Sequence, residues 1–143
     1  MSAAGVIARR RREQASLVAV ARGFAEGLDS CLSVRAVVVV GSVARGDFNA
    51  ASDIDVLVVA DGLPEHPLKR PQALGEVPLG VEAVPWTSHD WARAERTGNP
   101  IWAEALSKGI WLVGSSEALG TTFGKANAAG SGSKEDPSVS KSK

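Results

Sequence analysis

The chain has 143 residues, 44% of them hydrophobic, and its 16 Lys and Arg balance 16 Asp and Glu; this suits one domain with a real core and carries no strong signal for nucleic-acid binding. A single cysteine, Cys31, excludes an internal disulfide and suits a reducing compartment. No apolar run is long enough for a membrane span, and the basic cluster Arg9 to Arg12 is not followed by the apolar core of a signal peptide, so a cytoplasmic protein is expected.

From about Ala3 to Leu28 the apolar residues Leu17, Val18, Ala21, Phe24, Ala25 and Leu28 recur at three- and four-residue spacing, which predicts a helix with one face on a sheet. Its early segment ARRRREQ reads as a solvated charge run, with a phosphate- or partner-binding patch as the alternative. Val34 to Val40 is a β-branched run too short for a typical helix and ended by Gly41, the signal of a buried strand. Gly41 predicts a tight turn that admits a ligand close to the backbone. Ser42 is expected to cap a short helix from Val43 to Arg45, whose free amides favour anionic groups. After Gly46, residues Asp47 to Ser52 read as a loop, and Asp53 to Val59 returns to strand composition.

Strand alternation places Asp53 and Asp55 on one face, roughly 6.5 to 7 Å apart, with Ile54 and Val56 turned the other way. Two carboxylates at the head of an apolar strand repel each other and resist burial, so a cation is expected between them. Magnesium fits, because it takes hard oxygen ligands and is commonly held by one or two carboxylates while substrate phosphates complete its shell. A Gly-Ser turn just before such a pair reads as a nucleoside triphosphate site built from two consecutive strands.

Asp61 to Gly80 contains Pro64, Pro67, Pro71 and Pro78, so any helix there is short, with Leu68 to Leu74 the best stretch; its Lys69 and Arg70 are expected at the surface, or else within reach of a triphosphate. Val81 to Val84 reads as a short strand carrying Glu82 opposite Val81 and Ala83. Ser88 is expected to cap a helix from His89 to Thr97, and Asn99-Pro100 to begin another that ends at Gly109. Ile110 to Val113 reads as a closing edge strand. Among Trp86, Trp91, Trp102 and Trp111, Trp102 is expected in the core, and Trp86, just past the Glu82 strand, is the candidate for contact with a base or partner. His66 and His89 lack metal-ligand spacing, which disfavours zinc. Periodicity is lost from about Ser115, so the division is a domain over 1–114 and a disordered tail over 115–143.

Gly41-Ser42, ten intervening residues and Asp53-Ile54-Asp55 resemble the signature of the polymerase-beta-like nucleotidyltransferases. The whole stretch GSVARGDFNAASDIDVLVV is similar to the minimal nucleotidyltransferases of prokaryotes. The resemblance implies an α/β (α+β) nucleotidyltransferase fold, a small mixed sheet with helices packed on one side. It implies Asp53, Asp55 and Glu82 as catalytic and metal-binding residues, although an aspartate is more usual than a glutamate at the third position. Gly41, Ser42, Arg45 and Ser52 are implied at the nucleotide phosphates. It further implies a two-metal magnesium site, ATP as nucleotide, and a role as antitoxin toward a helical partner protein of the HEPN type. A small-molecule nucleotidyltransferase of the aminoglycoside kind and a non-catalytic nucleotide-binding or toxin-neutralising module are the alternatives. The first of these would need an acceptor domain for which the chain leaves little room, and the intact Gly-Ser turn and aspartates weigh against the second.

Overall fold

Ser2 opens the first helix by accepting a hydrogen bond from the Gly5 amide, and α1 then runs over Ala3–Glu26 with Ala21 and Phe24 buried. The computed structural model describes residues 2–28, 30 and 32–120; Cys31 and everything after Gly120 lie outside the described residues. Strand β1 is Ser33–Val40, α2 is Gly41–Arg45, and β2 is Ile54–Asp61. A 3-10 turn over Pro67–Lys69 leads into the single turn of α3, Arg70–Ala73, which is as short as the prolines require. Strand β3 (Val81–Trp86), α4 (Ser88–Thr97), α5 (Pro100–Ser107), β4 (Ile110–Val113) and α6 (Ser116–Gly120) complete the order.

The four strands form one mixed sheet in the order β3-β2-β1-β4. β1 pairs antiparallel with β2 and β4, whereas β2 and β3 are parallel, joined by the proline-rich crossover. β4 lies at an edge, as its position near the end of the pattern suggested. Pro85 is tolerated in β3 because that strand is the other edge.

Helices cover both faces of this sheet, where the sequence led us to expect one. On one face Val37, Val39, Ile54, Val56 and Val58 pack with Ala21 and Phe24 of α1 and with Leu74. On the other, Ala36, Val38, Val40, Leu57 and Val59 pack with Trp91, Ala105 and Leu119. The reason is visible in β1 and β2 themselves, which are continuous apolar runs and not alternating ones, and such strands have two faces to bury.

The second layer also corrects several boundaries. Trp91 of α4, and not Trp102, is the fully buried indole at 2% exposure, with edge-on contacts to Trp86 and Trp111 at 6.4 and 5.8 Å between ring centres. Thr87 caps α4 through a reciprocal box with Asp90, one residue ahead of the expected Ser88. Order persists past Gly114: α6 buries Leu119 to 1% exposure beside Trp91 and Ala105, so the described fold continues to Gly120. The remainder of the expected tail lies outside the described residues. Arg70 is buried, not at the surface; its guanidinium donates to Asp90 Oδ2 at 2.6 Å and to the carbonyls of Pro64 and Glu65, tying the crossover to α4.

Candidate active site

The site lies where β1 ends and β2 and β3 begin. Gly41 takes a φ of +79°, and a Cβ there would stand 2.3 Å from Asp55 Oδ2. Only glycine meets both conditions, left-handed backbone and contact with a carboxylate. α2 turns directly out of β1; its cap position is Val40, which supplies no side-chain bond, so Ser42 is the second helical residue and not the cap. The Ser42 carbonyl accepts from the Gly46 and Asp47 amides, closing the turn that presents Arg45.

The following loop is held from α1. Arg10 donates to the carbonyls of Gly46 and Phe48 at 3.1 and 2.5 Å and lies 4.3 Å over the Phe48 ring, while Gln14 donates to the Val43 carbonyl at 2.7 Å. Two members of the ARRRREQ run are therefore structural supports of the turn. Composition alone could not single them out from Arg9, Arg11 and Arg12, which are exposed. Within the loop, Ser52 Oγ accepts from the Asn49 amide at 2.9 Å, and Asn49 Oδ1 accepts from the Ala51 amide. Ser52 thus sits in the turn that delivers Asp53.

Asp53 is exposed at the entrance to β2, and Ile54, 3% exposed, anchors the strand with its amide on the Gly80 carbonyl. Asp55 is half-buried and stands between register partners: Val40 on β1 and Glu82 on β3. The structure thus sets Asp55 and Glu82 side by side on adjacent strands. Burial pushes the Asp55 carboxyl above its ordinary value, and the charges of Glu82, Asp53 and Glu104 push it further, opposed only by Arg45.

Glu104 was not among the expected residues. It comes from α5, accepts from the Gly41 amide at 3.2 Å through Oε1, and pairs with the Arg45 guanidinium through Oε2. Arg45 also bonds Asp47 Oδ2 at 3.2 Å.

The donor set fits a hard divalent cation. Asp55 carries negative charge it is poorly placed to keep alone, and all its neighbours of like sign offer carboxylate oxygens. Among the described residues, no group of three or more His, Cys, Asp or Glu side chains is arranged to hold a metal by itself, so the expected triad is not a closed cage. One or two carboxylates with phosphate oxygens completing the shell is the usual magnesium arrangement.

Glu82, Val84 and Trp86 share the face of β3 that turns toward α4 and α5. A hollow of about 430 Å³ lined by Trp86, Arg93, Thr97 and Asn99 lies beyond Glu82. Four residues of strand, about 13 Å, separate Trp86 from Glu82. Trp86 thus lines that hollow and stands away from the carboxylates.

A glycine-serine turn leaving one strand, facing carboxylates at the head of the next and on its parallel neighbour, defines the class of nucleotidyl-transferring domains. Residues 21–91 match the family described as the nucleotidyltransferase domain, which supports placing this stretch in the polymerase-beta-like superfamily. No curated protein and no solved structure matches the chain. No helix among the described residues is long and apolar enough to cross a membrane.

Proposed function

We infer that the protein is a magnesium-dependent adenylyltransferase that moves AMP from ATP to a hydroxyl of a partner protein, acting as the antitoxin of a helical HEPN-type toxin. The crowding of Asp55 against Gly41, Glu82 and Asp53 carries the catalytic part of this reading. Asp53 and Asp55 would hold magnesium, which when bound polarises the α-phosphate and offsets charge on the leaving group, with Glu82 at a second such position. The Gly41-Ser42 turn and Arg45 would seat the β- and γ-phosphates. The acceptor oxygen attacks the α-phosphorus in line, the bond from that phosphorus to the β-phosphate bridge oxygen breaks, and pyrophosphate leaves. The acceptor proton passes to Glu82.

The adenylyl preference and the toxin partner rest on likeness to the minimal nucleotidyltransferases. A protein acceptor is supported by the exposure of Asp53 and Glu82. The chain contains no tyrosine, so it cannot modify itself on that residue. Incubation of the purified chain with labelled ATP and magnesium should give little product, and adding the co-expressed partner should label the partner. Efficient labelling of an aminoglycoside by the chain, with none on any partner, would overturn the protein-acceptor reading.

A further inference from the structure

The two groups best placed to receive nucleotide phosphates, the Gly41 amide and the Arg45 guanidinium, both already hold an anion. That anion is the carboxylate of Glu104, one oxygen on each donor. We propose that Glu104 is a built-in occupant of the phosphate seat, which a nucleoside triphosphate must displace before it can bind. This rests on the nucleotidyltransferase reading and adds to it a residue that sets affinity for the nucleotide.

Three observations carry it. Glu104 reaches the site from α5, far along the chain from the turn, so the contact is made by the tertiary fold and not by local structure. Its carboxylate bridges backbone and side-chain donors in the manner of a phosphate, with two oxygens on two N–H groups. Gly41 also lies against the Asp55 carboxylate, so Glu104 adds negative charge where a cation and a polyanion must bind together.

Apparent affinity is reduced by the fraction of time the seat is free. A seat closed about nine-tenths of the time weakens binding about ten-fold. Calorimetric titration with ATP and magnesium, and separately with inorganic tripolyphosphate, reads this directly. Glu104→Gln is expected to tighten both ligands about ten-fold. Glu104→Asp, which keeps the charge and shortens the arm, is expected to tighten them in the same direction. In an Arg45→Ala background the effect of Glu104→Gln should shrink, since one of the two contested donors is gone.

Unchanged or weaker binding by Glu104→Gln, with a normal melting curve, overturns the proposal. So does tightening by Glu104→Gln that is absent in Glu104→Asp or persists undiminished without Arg45, because that pattern is general charge removal. Measurable ATP binding of equal strength in wild type and Glu104→Gln leaves the nucleotidyltransferase reading standing while sinking this one. Absence of binding by every variant sinks both.

Discussion

Gly41→Ala tests whether the turn and the carboxylate are held in contact as the structure has them. The methyl group meets two separate penalties. Alanine in left-handed backbone costs about 1 to 2 kcal/mol, and the φ of +79° allows no escape without bending the end of β1. The new carbon would also stand 2.3 Å from Asp55 Oδ2 and 3.3 Å from its Cγ, so the carboxylate must turn aside or the turn must shift. Overpacking of this kind adds about 1 to 3 kcal/mol. A combined loss of about 2 to 5 kcal/mol lowers the melting temperature of about 120 described residues by roughly 8 to 20 °C. Asp55→Ala removes both colliding atoms and leaves its Cβ at an ordinary 3.4 Å. In that background Gly41→Ala should cost only the backbone part. Thermal or urea denaturation of the four proteins gives the coupling, expected at about 1 kcal/mol or more. If Gly41→Ala costs the same with and without the Asp55 carboxylate, the close approach is wrong and glycine is needed there only for its backbone.

Asp55→Asn should abolish nucleotidyl transfer yet melt no lower than wild type at neutral pH. The folded carboxyl lies above its ordinary value, so the charged form weakens the fold, and the advantage of Asn should disappear as pH falls to the unfolded value of 3.8. Magnesium should raise the melting temperature of wild type and do so much less in Asp55→Asn, in a calorimetric scan with and without chelator. Asp90 behaves in the opposite sense. Burial pushes its carboxyl up, but the Thr87 amide and Arg70 outweigh this and hold it below the ordinary value, so Asp90→Asn should destabilise at neutral pH and the deficit should narrow in acid. Arg10→Ala removes two carbonyl contacts and the cation over Phe48; transfer should fall with a stability loss of about 1 to 2 kcal/mol, and unchanged turnover would detach α1 from the site.

What could be read from the sequence follows a physical line. β1 and β2 announced themselves because β-branched runs bounded by glycine and polar loops have few alternatives, and α1 because its apolar residues keep a helical period through Leu28. α4 and α5 were legible from their caps, but not their place as a second layer, since a tryptophan in a short helix fits core and surface equally well. Continuous burial in β1 and β2 was the available signal, because strands apolar on both faces demand cover on both. Leu119 was hidden for a related reason: α6 is five residues long, too short to show a period at all.

The site divides the same way. Gly41, Asp53 and Asp55 are close in sequence, and alternation along one strand was enough to put the carboxylates together. Glu82 required a guess about which strand lies beside β2, and the parallel register with Asp55 was out of reach of local pattern. Glu104 had no signal whatever: a glutamate on a short amphipathic helix looks solvated from every local viewpoint. Only the packing of α5 against β1, through Ala105 on Val38 and Val40, carries the neighbouring residue to Gly41 and Arg45. Residues that bear chemistry by proximity in the chain are thus legible, and those that modulate it through the second layer are not. Substitutions at Glu104 on α5 would therefore leave the glycine-serine-aspartate pattern untouched and, on the proposal above, change what the turn can bind.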